Sequence, residues 1–284
     1  MQKKTLQELN LMDDFLLYQL VSHPVFGEQF SRELLRIILG KAVGKLKVVP
    51  QKVYYGKDTM YHGARLDVYL EEEAKEEDHG AIYDVEAEQT VNKEKLESIP
   101  KRARFYHSTI DAGALLSGVD YRDLKNVIVI MIMSKDPFNY DHMIYTIENR
   151  CREIPELPYD DGAKTIFLYT KGTKGNPKEE LRNFLKYMEK SNEENATSEA
   201  IREIHRMVTE IKRDKEASVE YMKVYEREQM IREEGIEQGI EQGREQNLRD
   251  CIEKMVQNGM TAEEIVKILE VDRDVVLEYF QCEQ

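Results

Sequence analysis

Residues 64–89 read ARLDVYLEEEAKEEDHGAIYDVEAEQ, and the alternation on either side of the acidic run decides the fold class. Apolar residues recur at every second position, which is typical of β-strands, and two such runs joined by a polar segment predict a hairpin. Successive side chains of a strand point to opposite faces. The residues that share the face opposite the aliphatic ones are Arg65, Asp67 and Tyr69 on the first strand and Asp84, Glu86 and Glu88 on the second.

The register of this hairpin decides which carboxylates meet. A turn centred near residues 76–77 places Asp67 opposite Glu86 and Arg65 opposite Glu88. Carboxylates that face each other directly repel on a bare sheet. A hard divalent cation such as Mg²⁺ removes that repulsion, because it takes oxygen ligands and needs only one or two protein carboxylates. Alternating acids are also typical of a solvated outer face, so the spacing alone leaves both interpretations open.

Helix and strand patterns alternate through the first two thirds of the chain. The run VIVIMIM at 127–133 is apolar at every position, which is typical of a central strand covered on both faces. The other predicted elements are two helices over 13–39, an antiparallel meander over 46–88, a helix that Pro100 opens and that runs past Tyr106, strands at 143–150 and 165–170, and an amphipathic helix after Pro177. The sequence therefore predicts an α/β domain over residues 1–190.

Beyond residue 190 the sequence is helical and charged. We predict an arm over 191–247 that contains a four-residue repeat beginning at Gly235, Gly239 and Gly243. Glycine inside a helix costs about 1 kcal/mol relative to alanine. A glycine stripe that lets another helix approach closely offsets this cost and predicts a homo-oligomer; a flexible polar linker is the alternative. Residues 248–284 are predicted to form a small helical module, with Gly259 past one helix and a Thr261–Glu264 capping box opening the next.

Composition limits the class of protein. The 284 residues carry a net charge of −14, which as a whole repels a polyanion such as DNA, although basic residues gather in KAVGKLK and KRAR. Three scattered cysteines, Cys151, Cys251 and Cys282, do not have the spacing of a disulfide framework or a zinc cluster. The chain also lacks a run of about 18 apolar residues that could cross a membrane. We therefore expect a soluble, cytoplasmic protein.

At the hairpin and around it the chain resembles the Rpn-type recombination-promoting nucleases, a family also described as transposases, within the PD-(D/E)XK nuclease superfamily. The resemblance covers about residues 10–190 and rests on motifs that follow in the same order. These motifs are Asp14-Phe15, Arg65-Leu-Asp67, Val85-Glu86-Ala-Glu88, Arg102-Ala-Arg-Phe-Tyr106, Gly118-Val-Asp-Tyr121 and VIVIMIM. It implies a restriction-endonuclease-like α/β core, in which helices flank a mixed central sheet, followed by a helical C-terminal arm.

The resemblance also implies a function for individual residues. Asp67 and Glu86 are expected to hold Mg²⁺, for which Mn²⁺ can substitute, and Asp14 is expected to add a ligand. Glu88 stands at the third position of the catalytic set, where the superfamily has lysine and this family usually glutamine; glutamate supplies no positive charge. The candidate replacements for that charge are Lys93, Lys95 and Arg65. The residues expected to contact DNA are Arg65, Arg102 and Tyr106, and an ion pair with local acids is the alternative for Arg102.

Two classes of function follow from these expectations. The first is a Mg²⁺-dependent DNA endonuclease that acts in recombination or in the life cycle of a mobile element and self-associates through its arm. The second is a catalytically inactive relic that binds DNA or a protein partner, or serves as an oligomeric scaffold. Glu88 favours the second class, whereas the ordered motifs favour the first.

Overall fold

The fold is centred on a six-stranded mixed sheet. The computed structural model describes residues 4–55, 63–73, 80–89, 92–114 and 120–280. The strands are β1 Leu46–Tyr54, β2 Ala64–Glu72, β3 Ala81–Glu88, β4 Asn126–Met133, β5 Ile144–Glu148 and β6 Ala163–Tyr169. Their order in the sheet is β1-β2-β3-β4-β6-β5. The first three strands form the predicted antiparallel meander, β3, β4 and β6 are parallel, and β5 returns antiparallel to β6.

Helices flank this sheet. The helices of the sheet domain are α1 Asp14–Ser22, α2 Gly27–Leu39, α3 Lys93–Ala114, α4 Glu179–Glu189 and α5 Glu199–Arg213. Three further helices follow in the chain, α6 Lys215–Gln257, α7 Ala262–Leu269 and α8 Arg273–Phe280. Helix α3 connects β3 to the parallel strand β4, and its apolar side chains pack on the sheet. Helices α1 and α2 contact β1, while α4 packs against α2 and α5 packs against both α1 and α2. The protein is therefore an α/β protein, as predicted.

The predicted central strand is confirmed. β4 lies between β3 and β6, and all of its residues from Val129 to Met133 are buried. A strand with neighbours on both sides and helices over it has no solvated face, so every position is apolar. The two N-terminal helices are confirmed as well, with the break between them at residues 23–26.

The predicted start of the third helix is wrong. Helix α3 begins at Lys93, so Pro100 lies inside it rather than at its first turn. Proline inside a helix removes one backbone hydrogen bond and crowds the preceding turn. The helix continues through it because Ile99 and Ala103, on either side of the proline, are buried in the same apolar cluster. Burial of this face offsets the local cost of Pro100.

The chain divides into two compact units, Met1–Ser218 and Val219–Gln284. The sequence predicted a division at residue 190, before α5. In the structure α5 belongs with the first unit, because it buries an apolar face against α1 and α2. The side chains of that face are Ile201, Ile204, Met207, Val208 and Ile211.

The second unit ends in a three-helix cluster. Ile252, Ile265 and Val276, one from each of α6, α7 and α8, form its buried centre. Gly259 adopts a left-handed conformation with φ 78° after α6, and the capping box that opens α7 is present. Among the described helices, none combines the length and the apolarity needed to cross a membrane. Within the same residues, Cys151 and Cys251 are free thiols.

Candidate active site

The candidate site lies where β2 and β3 separate. The two strands pair from Val68 opposite Val85 to Glu71 opposite Ile82, which is the register predicted from the sequence. One position further, the Asp67 N–H donates to the Glu86 Oε1 at 2.9 Å instead of to a backbone carbonyl. Asp67 and Glu86 therefore meet at the fork between the strands. The predicted turn centre at residues 76–77 lies outside the described residues.

The other neighbour of β2 is also distorted at this level. In β1, Pro50 pairs with Val68 and Lys52 pairs with Leu66, so that Gln51 lies beside Asp67. Gln51 has a φ of 52°, in the left-handed region that residues other than glycine seldom adopt. Such strain persists only where the surrounding structure holds it. Regular strand pairing thus breaks on both sides of Asp67.

Glu86 is a buried carboxyl with two protein donors. Besides the Asp67 amide, the Tyr106 hydroxyl donates to its Oε2 at 3.4 Å, and the Arg102 guanidinium lies 3.9 Å from the same oxygen. Burial, followed by the like charge of Asp67, raises the pKa of Glu86 to about 7. The protein therefore fixes both oxygens of Glu86 while leaving the group short of compensating charge.

Glu88 forms an ion pair with Arg102, whose Nη2 contacts its Oε1. Helix α3 places Arg102 and Tyr106 one turn apart, both toward β3. Arg102 therefore brings a guanidinium directly to Glu88. Lys93 and Lys95, two of the predicted replacements, are exposed near the start of α3.

Asp14 and Arg65 approach the cluster from outside. Asp14 is exposed at the first position of α1, yet partial withdrawal from water, followed by the like charge of Asp67 and Glu88, raises its pKa to about 6. Arg65 is exposed on β2 and partly offsets this effect at Asp14 and at Asp67. The structure thus brings all the predicted site residues into one electrostatic cluster. Gly118 of the resembling Gly-x-x-Tyr motif lies outside the described residues.

Asp84 is a member of this cluster that the sequence did not assign. Its side chain is fully buried, and no N–H or hydroxyl of the described chain donates to either carboxyl oxygen. Burial, followed by the like charges of Glu86 and Asp67, raises its pKa well above the ordinary range. Its position two residues before Glu86 was the available signal, since it placed both carboxyls on one face. The two-residue spacing did not show that α3 packs over this face and buries Asp84.

The cluster suits a hard divalent cation in donor chemistry and in charge. Its carboxyls are Asp14, Asp67, Asp84, Glu86 and Glu88, against the guanidinium groups of Arg65 and Arg102. Oxygen donors are the ligands that Mg²⁺ and Mn²⁺ prefer. Across the described ranges, however, no three His, Cys, Asp or Glu side chains are arranged to hold a metal ion. Asp67 and Glu86, joined by the hydrogen bond at the fork, are the carboxyl residues that could hold such a cation.

Comparison with protein-family models, with curated proteins and with solved structures finds no match to this chain. The chemistry of the cluster is therefore inferred from its own geometry and charge.

Proposed function

We propose that the chain is a Mg²⁺-dependent endonuclease that hydrolyses DNA phosphodiester bonds on a core of the PD-(D/E)XK type. The meeting of Asp67 and Glu86 at the fork between β2 and β3 carries the proposal. The Asp67 amide gains a hydrogen bond there, but the like charge of Asp67 raises the pKa of Glu86, so the two carboxyl groups repel each other. A bound divalent cation would offset that repulsion, which explains why the two carboxyl groups lie close together.

The protein's part in the proposed reaction is to hold and orient. Asp67 and Glu86 would bind the cation, with Asp14 as a further ligand from α1. When bound, Mg²⁺ activates a water for attack on phosphorus and neutralises charge that develops on the phosphate. The Asp67 amide and the Tyr106 hydroxyl hold opposite oxygens of Glu86, which fixes the orientation of its carboxylate.

Two arginines could contact the DNA backbone in this proposal. Arg65 is exposed on the same face as Asp67, and guanidinium groups bind phosphate oxygens in a bidentate manner. Arg102 is paired with Glu88, and it could reach a phosphate only by exchanging that partner. Glu88 would therefore control how much positive charge the site presents to DNA, which matters for a protein whose net charge is −14.

Cleavage of supercoiled plasmid in Mg²⁺ tests this function. We expect the wild-type protein to nick the plasmid and Asp67→Ala to abolish nicking. Glu71→Gln is the matched control, because Glu71 lies on the same strand but pairs with Lys125 instead of the cluster. Equal cleavage by wild type and Asp67→Ala would remove Asp67 from the site, and absence of cleavage by the wild-type protein would remove the activity.

The Glu88–Arg102 ion pair favours a second candidate, a catalytically inactive relic that binds DNA or a protein partner. In such a protein the ion pair is a permanent structural contact. Titration with Mn²⁺, followed by thermal unfolding, separates the two candidates. A ligand that binds only the native state must raise the unfolding temperature. A rise accompanied by cleavage supports the endonuclease, whereas no rise supports the relic.

We also propose that two copies associate through α6. A Cβ added at Gly235, Gly239 or Gly243 would meet nothing within 4 Å. The neighbouring Ile236 and Ile240 are 57% and 52% exposed. This open stripe supports a helix of a second copy as its partner. The resemblance to recombination-promoting nucleases adds recombination or a mobile element's life cycle as the proposed process. The cytoplasm is the proposed location, because the three scattered cysteines fit a reducing compartment.

A further inference from the structure

Asp84 lies on β3 two residues before Glu86, on the face that α3 covers. Its side chain has no solvent exposure, and it is opposite Tyr69 in the ladder with β2. No N–H or hydroxyl among the described residues donates to either of its oxygens. Glu86, by contrast, receives both a backbone amide and the Tyr106 hydroxyl. The two neighbouring carboxyls thus have very different hydrogen bonding.

An unpartnered buried carboxyl is costly to a folded protein. Buried polar groups are almost always hydrogen-bonded, and an unmade hydrogen bond in the interior destabilises the native state. An apolar residue at position 84 would avoid this cost, because Ile82 on the same face packs into the apolar cluster under α3. The carboxyl is therefore better explained by a function than by the stability of the sheet.

The charged neighbours of Asp84 indicate what that function is. The charges that act on it most strongly are those of Glu86 and Asp67, and Arg102 offsets them only in part. Alternate residues of a strand are about 7 Å apart. The side chains project to the same face, and the carboxyl of Asp84 lies close enough to that of Glu86 to act on it directly in an interior that screens charge poorly.

We infer that Asp84 is a positioning carboxylate beside the cation site, next to Glu86 on the same face of β3, whose charge strengthens the binding of a divalent cation by Asp67 and Glu86. The inference rests on the proposed function, whose cation site it extends. Asp84 acts through Glu86 and is a positioning residue. A divalent cation in front of Glu86 favours the ionised form of every carboxyl around it, and so supplies the compensation that the protein does not.

Mn²⁺ binding to the full-length protein tests the role of Asp84. Asp84→Asn keeps the shape of the side chain and removes its charge, and Asp84→Ala removes the carboxyl altogether. We expect each variant to bind Mn²⁺ at least about tenfold more weakly than the wild-type protein, measured by calorimetry or by the resonance of free Mn²⁺. We also expect Asp84→Asn without cation to unfold at the same temperature as the wild-type protein or at a higher one. A purely structural residue would show the reverse, with lower stability and unchanged affinity.

Asp111→Asn is the matched control. Asp111 is a half-buried carboxyl on α3 whose pKa is raised by burial and then by Asp161, outside the cluster. Its Mn²⁺ affinity should equal that of the wild-type protein. Wild-type affinity in Asp84→Asn would overturn the inference and leave the endonuclease proposal intact. Loss of folding in both Asp84 variants would also overturn it, because Asp84 would then support the sheet. Absence of Mn²⁺ binding by the wild-type protein would remove the proposed site and the inference together.

Discussion

The Glu86 carboxyl is held by an amide and a hydroxyl inside a cluster of like charge, and its pKa is raised from 4.5 to about 7. Between these values the folded, cation-free protein binds a proton that the unfolded chain does not. The stability that this proton contributes is fully present below pH 4.5 and is lost as the pH rises through 7. We therefore expect the cation-free protein to unfold at a lower temperature at pH 8 than at pH 5, by up to about 3 kcal/mol in free energy.

Thermal unfolding from pH 5 to pH 8 in a chelating buffer measures this effect. Glu86→Gln should flatten the dependence, because glutamine does not titrate. Part of the slope should remain in this variant, since the pKa of Asp14 is also raised, to about 6. Saturating Mn²⁺ should restore stability at pH 8 by binding the ionised form. A wild-type protein that is more stable at pH 8 than at pH 5 without cation contradicts the assignment of Glu86.

Glu88 is the residue whose replacement should strengthen DNA binding. Glu88→Gln removes one negative charge from the site and releases Arg102 from its ion pair. We expect the affinity for a short labelled duplex at low salt to rise about threefold to tenfold, because phosphate binding depends on local positive charge. Fluorescence anisotropy measures the change. The control is Glu253→Gln, which alters the net charge equally at an exposed position of the second unit; if it has the same effect, Glu88 has no local role.

At the scale of single residues, alternation was sufficient to place Asp67 and Glu86 together. It was not sufficient for Asp84, because a period of two assigns a face but does not say what covers that face. Arg102 shows a similar limit. The KRAR motif marks a basic helix, whereas the contact with Glu88 depends on where that helix packs on the sheet.

At the scale of elements, the long apolar strand β4 and the alternating strands β2 and β3 were predictable because burial imposes a distinct pattern on each. The start of α3 was not predictable. Proline is most common in the first turn of a helix, and the turn before Pro100 is polar and exposed apart from Leu96 and Ile99. Tertiary packing of the later turns extends α3 seven residues toward its N-terminus.

The glycines of α6 allow a test of the proposed self-association. Changing Gly235, Gly239 and Gly243 together to alanine removes a helix cost of about 1 kcal/mol each, so α6 should melt at a higher temperature in dilute solution. Each added methyl also separates any helix that packs on the stripe. We therefore expect self-association, measured by analytical ultracentrifugation, to weaken at least about tenfold.

Glu241→Ala with Arg244→Ala is the control for this experiment, because both exposed residues lie on the opposite side of the same helix from the glycines and their removal leaves the net charge unchanged. It should leave self-association unchanged. Unchanged association in the glycine variant would show that the stripe is not the contact between copies.

At the scale of the whole molecule, the boundary between the two units follows Ser218 rather than residue 190. The charged sequence after residue 190 suggested an arm, but α5 hides an apolar face at helical spacing within that charge. We expect a fragment of residues 1–218 to unfold cooperatively and to bind Mn²⁺ like the full chain. A fragment of residues 1–190 should fail to fold, because it exposes the surfaces of α1 and α2 that α5 covers.

The size of this effect follows from the five buried side chains of α5, each contributing about 1.5–3 kcal/mol on burial. Their sum is comparable to the entire stability of an ordinary domain. Circular dichroism on heating and limited proteolysis distinguish the two fragments. Equal stability of the fragments would place the boundary where the charge pattern suggested it.

The Asp67 amide is bonded to an ionisable side chain at the place where a regular hairpin would use a carbonyl. The last hydrogen bond between β2 and β3 therefore responds to the ionisation of Glu86. Any event that changes the electron density on the Glu86 oxygen alters the magnetic environment of this one backbone proton. In a nitrogen–proton correlation spectrum the Asp67 amide resonance should therefore shift when Glu86 gains or loses a proton. It should shift again when Mg²⁺, which is diamagnetic, is added. The backbone amide of Asp67 thus reports on the protonation state of Glu86 without an added label.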